Sequence, residues 1–295
     1  MRPTASENGS HANEAAGGDD ARPQNLRRRT PWPLMVVASL FIVVPFLAWY
    51  TTWFGRPLDD GEIEKYFAEG KPRHAQHALS QVAERVIKGD ASAARFYPQV
   101  LKTSESPETD LRMTAAWVMG LEHKSDEFRA ALLRLVKDPE PIVRRSAALA
   151  LVRYNDAAAR PELLEMLRPF EIKSRSEGTA ETVLSAGTPV KRESLLVRYK
   201  IHPGLGEEVR SPLPGRVEWA FGKEGDKFGA GDRLFVISPD AEQVRDALIG
   251  LSYLGEESDL NEVERYASGA EGMPDVVKKQ AAQTLESIRS RAARR

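Results

Sequence analysis

Hydrophobic and polar positions follow three rhythms along the chain. From Pro31 to Phe54 the run PWPLMVVASLFIVVPFLAWYTTWF carries no charge. At 1.5 Å per residue it extends roughly 35 Å, enough to cross a hydrocarbon core of about 30 Å, and it predicts a transmembrane helix. From about residue 71 to 171 the apolar positions take helical spacing, broken by prolines. Between about 172 and 239 the rhythm changes. Short apolar runs, Val217–Phe221 and Leu234–Ile237, alternate with paired glycines, Gly222 with Gly225 and Gly229 with Gly231. That punctuation predicts short strands joined by tight turns. Helical patterning returns over 240–290.

The flanks of the apolar run add topology. Residues 1–30 hold almost no large apolar side chains and read as a disordered cytoplasmic tail, ending in Arg27, Arg28 and Arg29. Positive charge on this side predicts an inner-membrane, single-pass protein with its N-terminus in the cytoplasm and its later domains periplasmic. Trp32 at one end, and Trp49, Tyr50 and Trp53 at the other, suit the interface with the lipid bilayer. A cleaved signal peptide is the competing reading, but the run is longer than a usual signal core and no small-x-small site follows. Residues 55–70 read as a linker, and Asp59, Asp60, Glu62 and Glu64 as a solvated acidic spacer without the spacing of a calcium loop.

Within the helical region, SPETDLRMTAAWVMG from Ser106 and DPEPIVRRSAALALV from Asp138 align without a gap at a shift of 32. Each carries a polar-Pro-Glu turn, an Arg and an alanine pair, Ala115-Ala116 and Ala147-Ala148, and stacking of such units builds one continuous core. The segment Leu132 to Tyr154 resembles a short bacterial HEAT repeat. That resemblance implies a ladder between repeats, with Arg112, Asp138 and Arg144 at the matching positions. HAQHALSQVAERV from His74 reads as an earlier repeat, and the pattern resumes from Glu242 and from Pro274.

The β segment repeats internally at a shift of 38: residues 186–190 match 224–228, and Leu196-Val197 matches Leu234-Phe235. Two tandem halves imply a pseudo-symmetric barrel or sandwich. The spacing Ser211-Pro212, Gly215, Val217, then Gly225-Asp226 and Gly231-Asp232 resembles the biotinyl/lipoyl-carrier fold, the barrel-sandwich hybrid also found in membrane-fusion-type periplasmic adaptors. In that family the modified lysine stands at the hairpin tip joining the halves. Here the tip is His202, Pro203, Gly204, Leu205 and Gly206; Lys200 lies before it on the strand, so covalent lipoylation or biotinylation is not expected. The coiled-coil hairpin of the adaptors is also missing. The tip reads either as a docking knob or as a plain connecting turn.

Composition narrows the chemistry. With 42 basic and 43 acidic residues the formal charge is −1, so no bulk field draws nucleic acid, and with no cysteine there are no disulfides or thiolate metal sites. No nucleotide-binding loop, nucleophile elbow or zinc-protease motif is present. His74 and His77 could share a helix face and ligate a metal, yet no third ligand is recognisable. Trp117, Trp219, Phe221 and Phe228 read as core, and Arg153 as part of a basic face with Arg112 and Arg144. The expected fold class is therefore α+β multidomain: a transmembrane helix, then a HEAT-like α-solenoid interrupted by a lipoyl-like all-β barrel-sandwich over 172–239. The expected function is a non-catalytic, membrane-anchored scaffold in the bacterial cell envelope, binding other inner-membrane proteins and no cofactor. The alternatives are an accessory adaptor of an efflux or secretion transporter, and a carrier modified on Lys200.

Overall fold

Local signals set the helix starts. Asp59 accepts from the Glu62 amide while Glu62 reaches back to the Asp59 amide, so this capping box opens α1 (Asp60–Ala68). The acidic stretch expected as a solvated spacer is instead built in: Asp60 pairs with Arg85 at 2.6 Å and also with Arg95, and Arg95 holds Glu64 at 2.7 Å. Prolines at the first turn start α2 (Pro72–Ile87) and α6 (Pro141–Arg153), where the missing N–H costs nothing. The Ser125 hydroxyl caps α5 (Asp126–Leu135), which follows α3 (Tyr97–Thr103) and α4 (Thr109–Leu121). After α7 (Arg160–Glu165) the chain leaves for the strands, and it returns as α8 (Ala241–Leu254), α9 (Leu260–Ala267) and α10 (Asp275–Ala292). The computed structural model describes residues 39, 41, 43–45, 57–202 and 205–294.

The 32-residue repeat is written in hydrogen bonds. Arg112 donates through Nη1 to the carbonyls of Ser106 and Pro107, both at 2.9 Å, and grips Asp138 at 2.7 and 3.0 Å. Arg144 repeats the geometry on the carbonyls of Asp138 and Pro139, at 3.0 and 3.1 Å, and takes Glu162 at 3.0 Å as its carboxylate. One apolar core, from Ile63 in α1 to Ile288 in α10, runs through the helices before and after the strands. Arg160 in α7 joins the two stretches, donating to both oxygens of buried Asp259 at 2.7 and 2.6 Å. Tyr266 adds a bond to the Leu167 carbonyl at 2.5 Å.

The strands form two antiparallel sheets over a second apolar core. One has the order β1 (Phe170–Lys173), β8 (Arg233–Ser238), β6 (Gly215–Ala220), β3 (Pro189–Val190). The other runs β5 (Leu205–Arg210), β4 (Leu195–His202), β2 (Gly178–Val183), β7 (Lys227–Phe228). The 38-residue repeat shows in matched turns, Gly187 at φ 85° and Gly225 at φ 89°, each leading into a two-residue strand. Each short strand pairs with the other half's sheet: β3 with β6, β7 with β2. Contacts to the helices come from Arg192, which pairs with Asp110, and from Gln243 Nε2, which donates to the Pro214 carbonyl at 2.7 Å.

Several expectations are corrected. The β unit is not a barrel: both sheets are open, ending on the edge strands β1 and β3 or β5 and β7, with no ladder closing them into a ring. The expected lipoyl-like barrel-sandwich, and the likeness to carrier domains and periplasmic adaptors, go with that closure. Among the described residues no helix is long and apolar enough to cross a membrane. The single-pass inner-membrane localisation, the bilayer partner, and the membrane-anchored scaffold and transporter-adaptor functions therefore lose the structural feature they required. The run over 31–54 lies outside the described residues except for 39, 41 and 43–45, and Arg27, Arg28, Arg29, Trp32, Trp49 and Trp53 lie wholly outside them. Residues 55–70, read as linker, hold α1.

Candidate functional site

A cavity of about 780 Å³ forms a groove across α4, α6 and α8. Its floor is set by small residues. A Cβ on Gly120 would lie 2.7 Å from the Ala150 Cβ, and one on Gly250 would lie 2.8 Å from Leu163, so these helices approach where no side chain intervenes. Its walls come from one stripe per helix: Trp117 on α4; Ser146, Leu149 and Arg153 on α6; Asp246, Ile249 and Tyr253 on α8. A neighbouring cavity of about 510 Å³ shares Trp117, Ser146, Leu149 and Asp246 and extends towards Gln76 and Arg145. Trp117 is 47% exposed and Tyr253 62% exposed, so two large rings face solvent in one groove. The expectation that Trp117 belongs to the core is corrected here.

The polar groups of the groove divide sharply by whether they are satisfied. The Ser146 hydroxyl donates to the Met113 carbonyl at 2.9 Å and is engaged in holding α6 to α4. Asp240 caps α8, accepting from the Gln243 amide at 2.8 Å. Arg145 is buried, bonded to the Gln243 side chain, and its Nε lies 3.9 Å from Glu162. Burial pushes Arg145 down to about 10 against the attraction of Glu162, and burial pushes Glu162 upward against Arg144. Asp246 has no hydrogen bond or ion pair to any described residue. Burial first, and then Glu242, raises its carboxyl above the ordinary range, with Arg245 opposing. The buried Gln76 Oε1 likewise accepts from no group, while its Nε2 donates to Thr114 at 2.8 Å.

The residues singled out from sequence are dispersed. Arg112, Asp138 and Arg144 form the ion-pair series already described, away from the groove lining. His202 and Leu205 face each other as the last pair of β4 and β5, while Pro203 and Gly204 lie outside the described residues. Lys200 sits within β4, opposite Gly206, and pairs with Glu181. His74 bonds Glu69 at 2.6 Å and stacks on Tyr66 at 4.4 Å; among the described residues no group of three or more ligands could hold a metal. Trp219 is 38% exposed with Arg233 over its ring at 4.4 Å, whereas Phe221 and Phe228 pack edge to face in the β core. Sequence reasoning missed Asp246 and Tyr253. Their signal is a second helical stripe, 242, 246, 249 and 253 on α8, spaced like 142, 146, 149 and 153 on α6.

No curated protein matches this chain. Among solved structures, a single-chain, multi-domain long-chain acyl-CoA carboxylase matches at 21% identity and a TM-score of 0.24, over 39% of this chain and 10% of that one. The chain thus spans a tenth of that protein's length, and a likeness this loose assigns neither fold nor activity. A family model described as HEAT repeats matches residues 98–175, so the stretch from α3 to β1 is similar to HEAT repeats.

Proposed function

We propose that this chain is a non-catalytic binding module that holds a segment of a partner polypeptide in the groove across α4, α6 and α8. The observation that carries the reading is the pair of solvent-facing rings, Trp117 and Tyr253, in one cavity of about 780 Å³. Exposed aromatic rings around a groove of this size supply apolar contact area at small entropic cost, the pattern of interaction hot spots. The lining also lacks an armed nucleophile: the Ser146 hydroxyl is spent on a backbone carbonyl rather than on a base. Helical spacing of the stripes gives the groove a repeat that a polypeptide can follow with successive side chains.

Panning a displayed random peptide library on the purified full chain tests this. The expected result is a family of related sequences whose affinity falls at least about tenfold for Trp117→Ala and Tyr253→Ser, as for hot-spot rings. Failure to enrich any sequence family, or equal binding to wild type and the double variant, overturns it.

A further inference from the structure

Resting on that reading, we infer that Asp246 is the receptor for a basic side chain of the bound segment, which enters between the Trp117 and Tyr253 rings with apolar residues on either side of it. Asp246 lines both the 780 Å³ groove and the 510 Å³ cavity beside it, so it stands where the two spaces meet. It is half-buried, and it is the groove carboxylate that the fold leaves unused: Asp240 caps a helix, and Glu242 is exposed at the rim. The cations nearby leave Asp246 unpaired. Arg145 is turned to Gln243 and Glu162, Arg245 is exposed and makes no ion pair with Asp246, and Arg153 makes none either.

A half-buried carboxylate without a partner costs free energy that an incoming cation recovers. Gln76 also lines the 510 Å³ cavity, but its Oε1 is buried, which leaves the Asp246 carboxylate as the acceptor that an incoming donor meets. A free carboxylate beside walls of Met113, Trp117 and Leu149 calls for a donor carried on an apolar stem. A guanidinium offers five donors and a flat face that stacks on an indole or phenol ring. An acidic segment is disfavoured by Asp240, Glu242 and Asp246 together.

The test uses the full chain labelled with 5-fluorotryptophan, with the Trp117 resonance assigned through Trp117→Phe. The probes are acetyl-Leu-Arg-Leu-amide and the same peptide with neutral citrulline in place of arginine, titrated to millimolar concentration. The expected result is a shift of the Trp117 resonance by both peptides, with arginine favoured about tenfold over citrulline, the scale of a partly buried charge pair. In Asp246→Asn that preference should fall below about threefold. Equal binding of the two peptides by wild type overturns the role of Asp246 while leaving the groove as a peptide site, and this comparison needs no variant to fold. A preference that survives Asp246→Asn also overturns it. If neither peptide moves the resonance, the groove reading falls and this inference with it.

Discussion

Replacing Arg160 by Met removes the cation that joins the helices before the strands to those after them. In the wild type Asp259 is 3% exposed in its side chain and accepts from Arg160 at 2.7 and 2.6 Å and from the Glu256 amide at 2.8 Å. Burial pushes its carboxyl up, but the hydrogen bonds from Arg160 and Glu256 outweigh burial and hold it below its ordinary value of 3.8. A lowered carboxylate stabilises the fold above its unfolded pKa, and that stability is lost as pH falls through the folded value. Without Arg160 the amide of Glu256 remains as the main partner and burial dominates. Stranding one charge of a buried pair costs about 3–5 kcal/mol; because Arg160 is itself 25% exposed, the lower figure, about 3 kcal/mol, is expected.

The sign of the pH dependence then reverses. In Arg160→Met the Asp259 carboxyl titrates above its ordinary range, so folding takes up a proton and stability rises as pH falls from 8 towards about 5. Urea unfolding of the full chain, followed by far-ultraviolet circular dichroism across that range, measures both effects. Adding Asp259→Asn to Arg160→Met should restore most of the loss at pH 8, because the stranded charge is gone. A deficit under about 1 kcal/mol, or one that is the same at pH 5 and pH 8, refutes the reasoning by placing the pair in the class of solvent-screened ion pairs.

Gly120→Ala forces a methyl to within 2.7 Å of the Ala150 Cβ and should cost about 1–3 kcal/mol, with Ala150→Gly added to it recovering part of the loss in a thermal melt. A double-mutant cycle of Arg112→Met and Asp138→Asn should return a coupling of about 1–3 kcal/mol, since these side chains are 13% and 7% exposed; a coupling near zero would mean that the repeat series is decorative. Tyr253→Ser, at a site 62% exposed, should leave the melting temperature within the error expected of a change under about 0.5 kcal/mol, separating its binding role from any structural one.

The repeats were legible because they rest on local chemistry. A shift of 32 aligned Arg112 with Arg144, and both arginines reach carbonyls six and five residues back, a contact fixed by the turn itself. The carboxylate that Arg144 takes was not legible: Glu162 stands in because the repeat gives way to β1 at Phe170, 32 residues after Asp138. The strands could be read from glycine punctuation, whereas closure could not, since it depends on whether β1 and β3 find pairing partners beyond their own sheet. Trp117 was misread because an aromatic in an alanine-rich helix carries the same pattern whether its stripe meets another helix or a groove. Asp246 escaped notice because an unpaired carboxylate is defined by what is not around it, and that information is spread over α4, α6 and α8.

The pairing of the first strand with the last gives the β unit a modular character. Phe170 and Ile237 are direct partners across β1 and β8, so the chain enters and leaves the sheets through one narrow gate, about 5 Å wide for partnered strands. The helical stack is therefore interrupted in sequence far more than in space. The helix stack asks of this detour that its two ends stay adjacent, and the contacts of Arg192 with Asp110 and of Gln243 with the Pro214 carbonyl tie the sheets back to the helices. The groove across α4, α6 and α8 is lined from the helical part of the chain, while Pro214, just ahead of β6, reaches only the cavity beside it.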